Sequence, residues 1–495
     1  MQMESGYLNF RETFMKEKSL AKNYLFNILK TTMGILFPLI TFPYATRILG
    51  AASLGKINYA ASIVSYFLLL SALGLQTYAI REGAGCRDDK EALDRFGTEM
   101  FLINSLLTVV AYIAFFVCLA LVPKFREYRM LLMISSVTIV FNTMGFNWLY
   151  SVFEEYAYIT VRAILFQIVS LAALFLLVKS AEDYYVYAAI NVFASAGSNM
   201  CNFIRMRRYM RLFPGGSYEL KKHMKPIVTI FGMSVAGTIY QDSDITIIGY
   251  MKGDLAVGLY SAAVKIMYVI TNMISSLGAV ILPRMAYYRK SGKKSQFDRL
   301  TGQTIEFVLM LTFPIAAGVF LLSGDLLLLV CGREFTDASL ALKILAFNII
   351  LSPLNGVVVN QLFITLGKEK TSLKVMILSC LFNVVANILM IPQWGYEAAA
   401  FTTICSEVIV LVLFVKYSFR EVPVVRYFSG TLQYAAAAAV MATVVAVVKT
   451  ACSGVLVLIS IPLGACVYFG TLKLMKNELL EEGMHMLSAK RRTEC

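Results

Sequence analysis

The chain alternates long apolar runs with short, polar, basic-rich interruptions, and that alternation sets the elements it predicts. About 20 apolar residues make a helix long enough to cross the hydrocarbon core of a bilayer, and windows of that size mark fourteen candidate spans. Six lie at 24–46, 58–80, 99–122, 130–153, 160–179 and 184–205. Six more lie at 226–250, 259–283, 305–330, 341–366, 373–391 and 397–417, and two follow at 428–450 and 454–474. Pro353, Asn355 and Gly356 interrupt the tenth. Connections are mostly short, and no soluble domain separates the spans. The pattern predicts an all-α polytopic membrane protein of about 14 transmembrane helices. Its expected divisions are 1–225 (spans 1–6), 226–420 (spans 7–12), and 421–495 (two accessory spans and a tail).

Charge then orients the spans, because cytoplasmic loops carry the excess of Lys and Arg. Of 45 such residues, 34 fall on the N-terminal side of the spans, 10 on the other side, and Lys265 inside one. Loops 205–225 and 284–299 are the most basic; loops 252–258, 393–397 and 452–454 carry almost none. An even number of spans with both termini cytoplasmic fits this asymmetry. The same basic loops suit contact with membrane lipid headgroups.

One offset relates the two halves. Gly34, Gly50, Gly55 and Arg81 recur 203 positions later as Gly237, Gly253, Gly258 and Arg284, and Lys90 recurs as Lys293. Leu-Asp-Arg at 93–95 returns as Phe-Asp-Arg at 297–299. Six spans separate the equivalents, so the halves are expected to be parallel six-helix repeats, with the substrate site at their interface. The last two spans lie outside the duplication.

The stretch 231–265 opens the second repeat and carries charge where charge is expensive. A charged side chain at the bilayer centre costs roughly 2.5–3.5 kcal/mol on insertion scales, so such residues usually pair or line a cavity. Lys265 is the one basic residue this reading places well inside a span, and Asp242 and Asp244 lie on the span before it. Two positions on a helix are about 200° apart, so the aspartates cannot share a face. Asp244 groups with Gly237, Tyr240, Gln241 and Ile248, and is expected to face the cavity. Asp242 groups with Val235, Thr238, Ile245 and Gly249, and is expected to pack against neighbouring helices. Asp244 and Lys265 lie at similar depth, so a charge pair and a lumen-facing cation are both open for Lys265. Glu407 is a further acid inside a span, with a hydrogen-bonded structural role as its alternative. Asn383 and Asn387 share a face and are expected to pack between helices.

Composition excludes several classes. Hydrophobic residues make up 58% and charged residues only 15%, and the mean hydropathy is +0.68. The net charge of +14 lies in loops rather than on a domain, so nucleic acid is not an expected partner. Nine cysteines without CxxC spacing and two histidines argue against a disulfide framework or a metal site. No P-loop, HExxH or GxSxG motif occurs, so no enzyme is expected. The first 22 or so residues are polar, so no signal peptide is expected ahead of the first span.

Particular residues then suggest a family. The first half reads Pro43-Tyr44-Ala45-Thr46-Arg47-Ile48-Leu49-Gly50-x4-Gly55, then Tyr66-Phe67, Gly74 and Arg81-Glu82; the second reads Asp244-x4-Gly249, then Val257-Gly258-Leu259-Tyr260-Ser261-Ala262. Over essentially its whole length the chain resembles the polysaccharide flippases of the multidrug, oligosaccharidyl-lipid and polysaccharide exporter superfamily. The resemblance implies a multi-pass protein of the bacterial inner membrane. It would move undecaprenyl-diphosphate-linked oligosaccharide repeat units, of the O-antigen or capsule kind, from the cytoplasmic to the outer leaflet. Two lobes would rock around a central cavity in alternating access, with a polymerase and other polysaccharide-assembly proteins as partners. One position departs from the family: the arginine often found after the aspartate of the seventh span is Ile245 here.

On that resemblance the substrate needs a cationic point for its diphosphate. Arg81 and Arg284 sit at equivalent inner span ends where the diphosphate arrives, with simple anchoring as the alternative. Arg47 lies at an outer end, where anchoring is the stronger reading. Lys265 and Gln241 are the remaining substrate candidates. No cofactor is implied beyond a coupling ion, H+ or Na+, which would fall to Asp244, Asp242 or Glu407. Two readings of the same superfamily stay open: a cation-coupled multidrug exporter, and a lipid II flippase, which would carry more arginines in its first two spans than Arg47 and Lys30 supply. A membrane glycosyltransferase or polymerase would need a large outer loop, and an oligomeric scaffold would not need the duplication.

Overall fold

The computed structural model describes residues 20–418, 427–451 and 459–481. Among these residues every regular element is helical and no strand occurs. Among the described residues eight helices are long and apolar enough to cross a membrane, or nine if the bent pair Arg333–Ala346 and Asn348–Phe363 counts as one span. The sparsely charged loop expected at 452–454, and the polar start of the chain through residue 19, lie outside the described residues. The chain folds as two compact units, Met1–Thr246 and Ile247–Cys495.

The first unit is organised on α1, Leu20–Ala72. Two spans with a loop between them are expected here. The chain instead stays helical and changes direction at one residue, Gly50, with φ 73° and ψ 174°. That region is essentially open only to glycine, so the break needs no loop residues. After Gly74 (φ 72°) comes α2, Leu75–Gly85. A Cβ at position 74 would lie 2.7 Å from Cγ2 of Ile230, so glycine is required there by contact as well as by conformation. The Asp89 side chain accepts from the backbone N–H of Glu91 and Ala92 and caps α3, Lys90–Leu121. Then follow α4 (Arg129–Thr143), α5 (Asn147–Val152), α6 (Tyr156–Leu177), α7 (Tyr184–Val192), a turn of π-helix at Phe193–Gly197, and α8 (Asn199–Met206). The unit is completed by most of α9, Leu220–Lys252.

Helix α1 packs along α3, α4 and α6. A polar seam joins it to α9: Ser65 Oγ donates to Asp242 Oδ2 at 2.6 Å, and Thr246 Oγ1 lies 3.0 Å from Ser62 Oγ and 3.1 Å from Tyr66 OH. At the start of α9 a second polar knot is buried. His223 Nε2 sits 2.8 Å from Glu99 Oε2, and its Nδ1 sits 2.6 Å from Tyr78 OH. Glu99, 1% exposed, also accepts from the Glu219 backbone N–H at 2.8 Å. A buried carboxylate is tolerated when its lone pairs are occupied in this way, and the knot ties α9 to α2 and α3.

In the second unit α10, Asp254–Lys290, begins straight after Gly253, at φ 84° and ψ −173°. It is followed by α11 (Lys294–Val330), α12 (Ser339–Ala346), α13 (Asn348–Val357), a turn of π-helix at Val358–Phe363, α14 (Glu369–Trp394), α15 (Tyr396–Ser418), α16 (Thr431–Ala451) and α17 (Ser460–Leu474). The stretch interrupted by Pro353 is thus helical but broken into pieces. Helix α11 is the centre of this unit, with α10, α12, α13 and α16 against it. Lys449 of α16 pairs with Asp325 of α11 at 2.8 Å, and Tyr468 OH of α17 donates to Met310 O at 2.8 Å. The C-terminal helix pair is therefore fastened to α11.

Candidate functional site

A cavity of about 650 Å³ opens within the first unit between α1, α4, α6, α7 and the π-helical turn. Its wall is polar: Asn58, Asn142, Asn191 and Gln167 contribute amides, and Ser65, Ser135 and Ser195 contribute hydroxyls. Two cations line it, Lys30 from α1 and Arg162 from α6, and none of its lining residues is Asp or Glu.

Local breaks in the helices build this wall. Between α4 and α5 the chain turns through Phe146 at φ 41°, which takes backbone groups out of the helical ladder. An amide recovers one of them: Asn202 Nδ2 donates to Gly145 O. The amides also bond to one another, Asn202 Nδ2 to Asn147 Oδ1 at 3.0 Å and Asn147 Nδ2 to Asn199 Oδ1 at 3.3 Å. The π-helical turn falls in the small-residue run Ala194-Ser195-Ala196-Gly197, where a Cβ on Gly197 would lie 2.9 Å from Phe193 Cδ2.

Arg162 is the distinctive group. It is 8% exposed, and its Nη2 reaches Asn147 Oδ1 only at 3.5 Å. Among the described residues its Nε and Nη1 make no well-formed hydrogen bond, while the Tyr158 hydroxyl lies within reach of the guanidinium. A buried guanidinium with unspent donors and no facing carboxylate is costly to hold, and an anion in the cavity would satisfy it.

Lys265 is not alone inside a span, since Arg162 lies seven residues into the candidate span Tyr156–Leu177, whereas Lys30 is the second residue of the one that begins at Leu29. A span that starts at 160 puts Arg162 at its end, but α6 begins at Tyr156 and carries it inside. Lys265 is half-buried on α10, in the second unit. Gln241 is exposed on α9. Of the two aspartates, Asp242 reaches the wall of this cavity through Ser65, whereas Asp244 is 6% exposed. Neither aspartate lines this cavity itself. Arg81 and Arg284 are both exposed, and each lies over an aromatic ring: Arg81 over Tyr78 at 5.8 Å, Arg284 over Tyr288 at 5.6 Å. Arg81 also pairs with Glu82 at 2.9 Å. Arg47 is exposed on α1. Glu407 of α15 is 8% exposed and accepts from Asn355 Nδ2 at 2.5 Å. Asn387 donates to Asn383 Oδ1 at 3.1 Å and accepts from Thr402, all three buried, so this polar group joins α14 to α15.

A polytopic helical protein with a wide, cation-lined, hydrogen-bonding cavity belongs among membrane transporters. The family model described as "Polysaccharide biosynthesis protein" matches residues 20–289, and the MatE model matches residues 230–389. The chain is 20% identical over 409 residues to the putative O-antigen transporter of Escherichia coli K12, covering 81% of this chain and 96% of that protein. It is 26% identical over 184 residues to the probable low-salt glycan biosynthesis flippase Agl15 of Haloferax volcanii, covering 37% and 39%. Its fold matches that of the lipid II flippase MurJ in an inward closed conformation, with a TM-score of 0.76 at 14% identity over 92% of this chain and all of that one. The chain belongs to the polysaccharide biosynthesis protein family, the polysaccharide flippases of the multidrug, oligosaccharidyl-lipid and polysaccharide exporter superfamily.

Proposed function

We propose that this protein moves undecaprenyl-diphosphate-linked oligosaccharide repeat units from the cytoplasmic to the outer leaflet of the bacterial inner membrane, by alternating access, for surface polysaccharide assembly. The observation that carries the reading is the buried guanidinium of Arg162, sharing with Lys30 a cavity that no Asp or Glu among the described residues lines. A diphosphate, with several negative charges, supplies what that cavity lacks. The amide and hydroxyl wall offers the donors and acceptors that sugar hydroxyls need. Fourteen spans with both termini cytoplasmic, in lobes 1–225 and 226–420 with accessory spans after 421, complete the topology.

Within this reading the exposed Arg81 and Arg284 meet the diphosphate first, while Lys265, Gln241 and Arg47 are secondary contacts. Proton or sodium coupling is assigned to Asp242, Asp244 or Glu407, and a polymerase is the expected neighbour. A cation-coupled exporter is the second reading, favoured by the MatE match over 230–389. A cavity bearing two cations repels a cationic drug, which sets that reading behind the first. A lipid II flippase shares the fold and stays a narrower alternative.

Deletion of the gene, followed by leaflet-specific labelling of the lipid-linked repeat unit, tests the proposal. Loss of outer-leaflet labelling that returns with the wild-type gene is expected. Unchanged labelling in a strain without paralogues would end it.

A further inference from the structure

The charge on Arg162 is held in the cavity by something other than its hydrogen bond to Asn147, which is 3.5 Å long. One turn earlier on α6, on the same helix face, stands Tyr158. The Arg162 guanidinium carbon lies over the Tyr158 ring at 5.6 Å from its centroid. Arg205 of α8 lies over the same ring at 4.0 Å, and its Nη2 is 3.4 Å from Glu155 Oε2. The ring itself is braced. Tyr150, fully buried, packs against it with centroids 5.1 Å apart, and the Tyr150 hydroxyl donates to Asn202 O at 2.6 Å.

Two guanidinium groups therefore share one aromatic face-charge, and among the described residues only Arg205 has a carboxylate. A ring quadrupole attracts a cation without satisfying its N–H donors. That combination suits a residue meant to keep a guanidinium in place while leaving its donors available to a ligand. A carboxylate in the same position would hold Arg162 equally well but would cancel the charge. From this geometry we infer that Tyr158 is the positioning residue of the cavity's anion site: its π-face, more than the hydroxyl that also reaches the guanidinium, holds Arg162 ready for a phosphate-type anion. The inference rests on the reading of the cavity as an anion site.

The test uses purified full-length protein and inorganic pyrophosphate, with the dissociation constant read by calorimetry. Tyr158→Phe keeps the ring and should bind within about twofold of wild type, whereas Tyr158→Leu should bind about tenfold more weakly, the range of a partly desolvated cation–π contact. Phenylalanines carrying one, two and three ring fluorines at position 158 keep the shape and drain charge from the ring face. Binding should weaken step by step along that series, an effect that a packing role alone would not produce, and the series stands even if Tyr158→Leu does not fold. A flat fluorine series, or Tyr158→Phe binding as weakly as Tyr158→Leu, overturns the inference and leaves the anion site intact. Wild-type protein that binds no pyrophosphate removes the anion site itself, and the positioning role with it.

Discussion

Gly50 and Gly253, 203 residues apart, hold the same backbone conformation: φ 73° and ψ 174° at the first, φ 84° and ψ −173° at the second. Each joins two long helices without a loop. The glycine spacing that suggests the duplication in sequence thus corresponds to one repeated conformation. Because that region is essentially open only to glycine, Gly50→Ala and Gly253→Ala should each destabilise the protein by about 1–3 kcal/mol. Gly237→Ala, where an added Cβ meets nothing within 4 Å, should change stability little. Thermal unfolding of the three purified variants in detergent is the measurement.

Arg162→Gln should reduce outer-leaflet delivery of the lipid-linked unit at least about tenfold, since it removes a desolvated charge that contacts an ionic substrate. Arg162→Lys restores a point charge without the planar fork and should recover only part of the loss. Leaflet-specific labelling reads both, with membrane levels of the protein as the control.

An acid placed in the cavity separates the two transporter readings. Asn142 lines the wall, and Asn142→Asp would introduce a negative charge among Lys30 and Arg162. Transport of an anionic lipid-linked unit should fall. A cationic-drug exporter should instead gain export, readable as resistance to ethidium.

Glu99→Gln should destabilise the first unit by about 1–3 kcal/mol, because it loosens an acceptor set shared by His223 and the Glu219 N–H. Arg81→Gln, at an exposed pair, should stay within about 0.5 kcal/mol. Urea titration of both variants in detergent compares them.

One exposed carboxylate carries a pH signature. The backbone N–H groups of Lys179 and Ser180 and the Ser180 hydroxyl hold Asp183 below the usual aspartate range. A depressed folded-state value means that the turn gains stability above the unfolded value and loses it as pH falls through the folded one. A carboxyl NMR titration should place the Asp183 midpoint below that of an unstructured aspartate, and Asp183→Asn should abolish the acid-side loosening of this turn.

Much of the helical framework is readable from hydropathy, because each long apolar run has one stable solution in lipid. The direction change at Gly50 is not, since nothing in a hydropathy window distinguishes a one-residue break from a short loop. Arg162 is hidden by an error of four residues in a helix start: from 160 it is an end anchor, and from Tyr156 it is an interior charge. The separation of Asp242 from Asp244 follows from helical pitch, but the side each one meets does not. Apolar neighbours on α9 give no sign that Ser62, Ser65 and Tyr66 of α1 receive the Asp242 face.

The unmatched guanidinium also bears on how a cargo leaves. On the proposed reading, an anion at the Arg162 site relieves an electrostatic burden that Asn147 and the Tyr158 ring lift only in part. Binding is therefore stabilising, and a loaded protein should resist unfolding better than a vacated one. Departure reverses that gain: the guanidinium must pass to water or to another anion before the substrate can go.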